Sequence, residues 1–209
     1  MIEHRYQQGS EAWFRARAGR PTASEFSRIL TPTGKDSSQW LAYVWDLCAE
    51  CLRPDEIEFA GNRHTDRGNE LEPEAREIFA AAHPTLQVEE TGFVTRDDQI
   101  VGCSPDSLLR DATTLELVAG LEIKCPTARH HCEALRTQQM PSKHMPQVHG
   151  SMAVTGLDHW YFMSYARGLK PFVTRIDRDD YTDKLSNALD RFVIYYQSHR
   201  PSVIKTIKI

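Results

Sequence analysis

Two carboxylates and one amine stand at a spacing suited to phosphoryl chemistry. Ser104-Pro105-Asp106 is followed, 122 − 106 = 16 positions on, by Glu122-Ile123-Lys124. Hydrolysing a phosphodiester builds charge on the non-bridging and leaving oxygens and needs a water deprotonated near neutral pH. One or two hard cations meet both needs. Mg²⁺ takes oxygen ligands, keeps several waters and rests on one or two carboxylates plus the phosphate itself. Asp106 and Glu122, on neighbouring strands, are therefore candidate ligands for Mg²⁺, with Mn²⁺ as a substitute. Side chains alternate across a strand, so Glu122 and Lys124 share a face while Ile123 turns into the core. Lys124 then stands where it could orient the attacking water, help remove its proton or stabilise the charged transition state. The Ile123 backbone carbonyl offers a further oxygen ligand. A plainer reading is a Pro-Asp turn beside a hairpin, followed by a solvent-facing Glu/Lys pair on an edge strand. Both halves of the pattern fall at the ends of apolar β-type runs, which favours the chemical reading.

Glu72 extends the candidate set. In Gly68-Asn69-Glu70-Leu71-Glu72-Pro73-Glu74-Ala75 the acids crowd an expected helix start, where negative charge complements the macrodipole. That reading suits Glu70 and Glu74. Glu72 is expected near a second metal, directly or through water.

The elements that must position these residues show in the hydrophobic pattern. Ser10 is a candidate N-cap before Glu11-Ala12-Trp13-Phe14, and Thr22-Ala23-Ser24-Glu25, just after Pro21, is a second helix start. Ser38 to Leu52 predicts a helix with Leu41, Val44, Trp45 and Cys48 on one face, and another runs from about Asn69 to Ala82. Leu86 to Thr95 and Ile100 to Cys103 are β-type runs joined by a turn at Arg96-Asp97-Asp98-Gln99, and Leu115 to Lys124 is a third. Helices at Ala128–Thr137 and Pro146–Val154, strands at His159–Tyr165 and Phe172–Ile176, and a last helix from Asp180 to His199 complete the pattern. Helices flanking a central group of strands predict an α/β fold with a mixed sheet.

At 209 residues the chain is expected to form one domain, 1–209, with a full hydrophobic core. A formal net charge of −4 argues mildly against nucleic acid, but an acidic shell around a basic groove gives the same sum. The polar opening Met1-Ile2-Glu3-His4-Arg5, the lack of an apolar run near the ~18 residues of a membrane span, and five cysteines at 48, 51, 103, 125 and 132 together point to the cytoplasm with reduced thiols.

Six blocks occur in order: Gln8-Gly9-Ser10-Glu11-Ala12-Trp13 with Arg15, Arg17-Ala18-Gly19, Thr22-Ala23-Ser24-Glu25, Cys103-Ser104-Pro105-Asp106, Glu122-Ile123-Lys124-Cys125-Pro126, and Gln147-Val148. In these the chain resembles the phage lambda exonuclease, or YqaJ-like viral recombinase, family of restriction-endonuclease-like PD-(D/E)xK nucleases, from about Gln8 to Ile176. The resemblance implies a restriction-endonuclease-like core, a central mixed β-sheet flanked by helices. It implies a 5′-to-3′ exonuclease that digests one strand of linear double-stranded DNA to 5′-mononucleotides. The 3′ overhang would pass to a single-strand annealing protein, three subunits would ring the DNA, and the protein would be a phage or prophage product acting in the bacterial host. Asp106 and Glu122 match the metal-binding acids, Ile123 the backbone ligand and Lys124 the catalytic lysine. Arg17, Ser24, Ser104 and Gln147 match residues that grip the 5′-terminal phosphate. Such a pocket makes chemical sense: arginine engages phosphate bidentately, and hydroxyls near a helix N-terminus complete the shell. A surface salt bridge for Arg17 and a plain cap for Ser24 are the ordinary alternatives. Leu109 to Gly120 looks longer than the family's hairpin, and Pro201 to Ile209 has no counterpart.

Other features weigh less. Cys48-Ala49-Glu50-Cys51 lacks a second pair for zinc, and no cysteine follows Cys132 to build an iron–sulfur site. His130-His131-Cys132, His144 and His149 are possible transition-metal ligands, though a solvated or DNA-facing helix suits them better. Arg129, Arg136, Lys143 and His144 are either phosphate contacts or an exposed helix face. Two other functions stay open: an endonuclease or junction resolvase of the same fold, which needs no free end, and a non-catalytic DNA-end-binding recombination protein.

Overall fold

The structure, a computed structural model, describes residues 1–54 and 63–208. In chain order come β1 (Ile2–His4), α1 (Glu11–Arg17), a 3₁₀ helix (Ala23–Arg28), α2 (Trp40–Leu52) and α3 (Arg63–Ala82). The strands β2 (Leu86–Glu89), β3 (Phe93–Thr95), β4 (Gly102–Cys103), β5 (Ser107–Asp111) and β6 (Leu117–Lys124) follow. Then come α4 (Ala128–Thr137), a short 3₁₀ turn (Ser142–His144), α5 (Met145–Thr155), β7 (His159–Ser164), β8 (Phe172–Asp177) and α6 (Asp180–Ile207).

The main sheet has the order β2-β5-β6-β7-β8. Its β6–β7 pair is parallel and the rest antiparallel, so the sheet is mixed, as expected. Parallel neighbours need a long crossover, and α4 with α5 supplies it. A smaller sheet, β1-β3-β4, lies apart. Leu71, Ala75 and Phe79 of α3 pack with Leu109, Ala119, Leu121, Ile123 and Met163 on one face. Phe26, Val44, Leu47, Val148, Met152, Leu185 and Phe192 cover the other, together with Trp160 and Phe162. Alternation along β6 therefore sends Ala119, Leu121 and Ile123 under α3, and Gly120, Glu122 and Lys124 to the opposite layer. Gly120 has no room for a side chain: a Cβ there would lie 2.2 Å from the Trp160 ring. No described helix is long and apolar enough to cross a membrane.

Several boundaries differ from the sequence expectation. The run Leu86–Thr95 splits between two sheets, with Glu90-Thr91-Gly92 as the break. Ser107–Asp111 is a strand that the pattern did not predict, and the supposed insert is the hairpin joining it to β6. Asp111 closes that hairpin by accepting from the Thr113 and Thr114 N–H groups at 2.8 Å, and Leu115 sits in the turn at φ 61° rather than in the strand. The second helix start is a six-residue 3₁₀ helix. On α2 the buried face is Tyr43, Val44, Leu47 and Cys48, while Leu41 and Trp45 are exposed. α3 begins at Arg63 and continues through Pro73, so Glu70 and Glu74 lie in mid-helix and pair with Arg167 instead of with a helix end. α6 passes Pro201 to Ile207 because Val203 is buried and Ile204 and Ile207 pack on the core.

Candidate active site

The acids meet at the open end of the β5–β6 pair. Ser107 pairs with Leu121, so the register carries Asp106 beside Glu122. The Ile123 N–H donates to Asp106 Oδ2 at 2.5 Å. A strand residue projects its N–H and C=O to the same side, so the Ile123 carbonyl also faces the strand of Asp106. Glu122 is only 1% exposed and Lys124 33%, with Lys124 Nζ 2.6 Å from Glu122 Oε1. That contact is close but not aligned as a hydrogen bond, and among the described residues neither Glu122 oxygen has a hydrogen-bond partner. The pair is on the central strand of the sheet, not on an exposed edge.

Burial and crowding shift every group here. Burial pushes the Glu122 carboxyl up to about 8; Lys124 opposes this, and the Asp106 and Glu72 charges add to it. Burial and then the Asp106 charge bring Glu72 up to about 7, against Arg76 and Lys124. Asp106 is also raised by burial, and Lys124, the Ile123 N–H and Arg76 restrain it. Burial alone would lower Lys124, but Glu122, Asp106 and Glu72 outweigh it and hold the ammonium above its ordinary range. Glu122 is shut off from water while Asp106 and Glu72, beside it, are partly exposed, and more positive charge would relieve all three.

The donors fit a hard divalent ion. They are carboxylate and backbone carbonyl oxygens, the set Mg²⁺ prefers over the imidazoles and thiolates that draw zinc or copper. Glu122 Oε1 already faces the Lys124 ammonium, and Oε2, which has no hydrogen-bond partner among the described residues, is an opening for a cation. Among the described residues no three His, Cys, Asp or Glu side chains converge on one point. Asp106, Glu122 and the Ile123 carbonyl would hold the ion, and water and phosphate would complete its shell. Glu72 stands back from them, its Oε1 2.6 Å from Arg76 Nη2.

A second group forms where α1 and the 3₁₀ helix approach the strand leading to Asp106. Arg17 Nη1 donates to Ser104 Oγ at 2.7 Å, and Nη2 reaches Thr22 Oγ1 and Ser24 Oγ at 3.4 Å each. Trp13 shares its one Nε1–H between the Gly92 carbonyl at 3.0 Å and the same Ser104 oxygen at 3.1 Å, and the guanidinium lies over the Trp13 ring at 4.3 Å. Burial lowers the Arg17 pKa, yet its hydrogen bonds among the described residues go to hydroxyls, not to a carboxylate. Its charge is thus available to an anion.

Lys124 of the first group and Ser24 of the second line one cleft of about 310 Å³, together with Ser27, Lys143, His144, Pro146 and Gln147. No acid lines it. Gly150 lets α5 lie close on the 3₁₀ helix, since a Cβ there would meet Phe26 Cδ2 at 2.2 Å; this contact brings Gln147 to the side of Ser24. Burial, then Lys124 and Lys143, pulls His144 down to about 3, so at neutral pH it offers hydrogen bonds and not charge.

All four phosphate-pocket candidates and the Asp106-Glu122-Lys124 set are therefore brought together, with Glu72 one step out. Lys143 and His144 belong to the cleft, whereas Arg129 and Arg136 are exposed on α4 and do not line it. His131 is buried between Ser164 Oγ and the Lys170 carbonyl, both at 2.9 Å, and His149 bonds Thr182 Oγ1 at 2.8 Å, so both rings serve the core. The described cysteines are free thiols. Sequence reading missed Trp13 and Arg76. Each lies four residues from a candidate on its own helix, Arg17 and Glu72 respectively, and that spacing was the available signal.

Comparison with known proteins follows the same lines. An alkaline exonuclease, LHK-Exo from Laribacter hongkongensis, is 28% identical with a TM-score of 0.73, covering 94% of this chain and all of its own. Its complex with dAMP matches at 29% identity and a TM-score of 0.72 over the same shares. A phage-related exonuclease from Haemophilus somnus 129PT, 15% identical with a TM-score of 0.60 over 86% of this chain and 94% of its own, shares the fold. The fold is α/β of the restriction-endonuclease-like kind, as the sequence resemblance implied. A search of curated proteins found no match. The model of the YqaJ-like viral recombinase domain matches residues 12–158, and the chain belongs to that family.

Proposed function

We propose that this chain, as a single nuclease domain, is a Mg²⁺-dependent exonuclease that digests one strand of linear double-stranded DNA in the 5′-to-3′ direction. It releases 5′-mononucleotides and leaves a 3′ overhang for a single-strand annealing protein, and three copies encircle the duplex. Membership of the viral recombinase family and similarity to an alkaline exonuclease support the nuclease. The relative's complex with dAMP, a deoxynucleoside monophosphate, agrees with product release one nucleotide at a time.

The observation that carries the reading is the shared cleft, in which Ser24 and Gln147 face the same space as Lys124. A terminal phosphate held by Arg17, Ser24, Ser104 and Gln147 sets the adjoining phosphodiester beside Lys124 and the acids. Arg17 supplies charge-assisted bonds, and the hydroxyls and amide fix the register. Lys124 stands where negative charge grows and offsets it. Asp106, Glu122 and the Ile123 carbonyl hold the cation. When bound, magnesium would polarise the phosphoryl group and lower the pKa of a bound water. Lys143 adds charge at the rim and attracts the backbone without reading bases.

The test compares linear duplex with 5′-phosphate, linear duplex with 5′-hydroxyl, and covalently closed circles, each with Mg²⁺ or EDTA. Fast digestion of the phosphorylated linear duplex with Mg²⁺ alone is expected. Cutting of circles would make the chain an endonuclease, and turnover in EDTA would overturn the metal site.

A further inference from the structure

One buried cation near the site has no part in the scheme above. Arg76, on α3, is 14% exposed and bonds four oxygens on three segments of the chain. Nη2 donates to Glu72 Oε1 at 2.6 Å and to the Asp106 carbonyl at 3.3 Å, Nη1 to Glu90 Oε1 at 2.5 Å, and Nε to Ser107 Oγ at 3.0 Å. The Ser107 hydroxyl in turn donates a hydrogen bond to the Asp106 carbonyl at 2.7 Å. The Asp106 backbone is thus fastened from behind, directly and through Ser107, while its carboxylate is fastened in front by the Ile123 N–H.

We propose that Arg76 is the positioning residue of the acidic site, aiming Asp106 at the cation and keeping Glu72 outside the inner ligand set. The proposal rests on the nuclease reading above. An ordinary i,i+4 helix pair with Glu72 would account for one of the four bonds only, and such pairs lie on exposed helix faces. A planar guanidinium with five N–H groups in a fixed fork can span these acceptors, whereas an ammonium with the same charge is a point donor and cannot. The Arg76 charge also draws the Glu72 and Asp106 carboxyls down against burial. Groups that orient ligands from behind typically change metal affinity or activity by roughly 10- to 100-fold when lost.

Arg76→Lys keeps the charge and removes the fork. In DNA-free protein, calorimetric Mg²⁺ binding should weaken roughly tenfold. Turnover of 5′-phosphorylated linear duplex should show kcat lowered by about the same factor, with KM changed by less than about twofold. Unchanged Mg²⁺ affinity and kcat would overturn the proposal, as would a lower melting temperature with neither parameter moved, since that is a purely structural role. If Arg76→Lys does not fold, Ser107→Ala cuts one link of the same network and should shift both parameters in the same direction; no shift there also overturns it. Glu122→Gln separates the two layers of argument. Full activity in Glu122→Gln sinks the nuclease site itself, whereas an inactive Glu122→Gln beside an unaffected Arg76→Lys sinks the role of Arg76 alone.

Discussion

Arg17 Nη1 lies 2.7 Å from the hydroxyl oxygen of Ser104, two residues ahead of Asp106. That oxygen also accepts from Trp13 Nε1. With Arg17 and the shared Trp13 N–H both turned on its oxygen, the Ser104 hydroxyl has its proton left to give, and an incoming phosphate oxygen is a natural acceptor. The proposed end-binding pocket and the acidic site therefore meet on one short segment, Ser104-Pro105-Asp106.

Removing the guanidinium should cost end recognition more than chemistry. A hydrogen bond to a charged group is worth about 1.5–3 kcal/mol, so Arg17→Ala should lower kcat/KM on 5′-phosphorylated duplex roughly 10- to 100-fold. Cleavage of 5′-hydroxyl duplex should change by less than about twofold. Steady-state kinetics on the two substrates decide it; an equal loss on both ends would refute the pocket assignment.

Glu122→Gln and Lys124→Ala should separate binding from cutting. Losing a preorganised charge at a reacting phosphoryl costs on the order of 10²–10³ in kcat, while the grip of Arg17, Ser24 and Gln147 on the DNA end is untouched. Fluorescence anisotropy should show end-labelled duplex bound within a few-fold of wild type. Either variant cutting at near wild-type rate would remove that residue from the chemistry.

The shared face of Glu122 and Lys124 was legible because alternation on a strand is local and the flanking run is apolar. The grouping of Arg17, Ser24 and Ser104 was legible through family resemblance, not through spacing, since these residues are joined only by the fold. β5 escaped because Ser107–Asp111 is five residues long and directly follows Pro105-Asp106, which reads as a turn. Glu70 and Glu74 were misjudged because Pro73 reads as first-turn punctuation, yet α3 had already begun ten residues earlier, at Arg63. Arg76 was invisible beyond Glu72: Glu90 and Ser107 lie 14 and 31 positions away, and no local pattern reports such contacts.

The contact between α5 and the 3₁₀ helix should be sensitive to a single methyl group. A Cβ at position 150 would fall 2.2 Å from Cδ2 of Phe26, a ring that is fully buried and has nowhere to move. Overpacking of this kind costs about 1–3 kcal/mol, or roughly 2–12 °C in Tm for a chain of this size. Gly150→Ala should also loosen end binding, because Gln147 rides on the displaced helix. A Tm within a degree of wild type would show that the helices separate freely.

Without metal, the buried acids should make stability fall as pH rises. In the folded state Glu122 is held up to about 8 and Glu72 up to about 7, from an ordinary 4.5. A raised folded pKa means the native state keeps a proton that the unfolded chain has lost. The stability this contributes is full below about pH 4.5 and disappears as pH rises through 7 to 8. The window from pH 7 to 8.5 also lies above the ordinary histidine range, so the lowered pKa values of His144, His149 and His159 change stability only slightly across it. In EDTA, wild-type Tm should therefore drop across that window, and Glu122→Gln should show a shallower drop and a higher Tm at the alkaline end. Mg²⁺ requires the carboxylates ionised, so its stabilising shift should be larger at pH 8.5 than at pH 7. Thermal melts at both pH values, with EDTA and with Mg²⁺, give all four numbers; a wild-type Tm that climbs in EDTA, or a Mg²⁺ shift that shrinks with pH, would mean these acids do not share the cluster described.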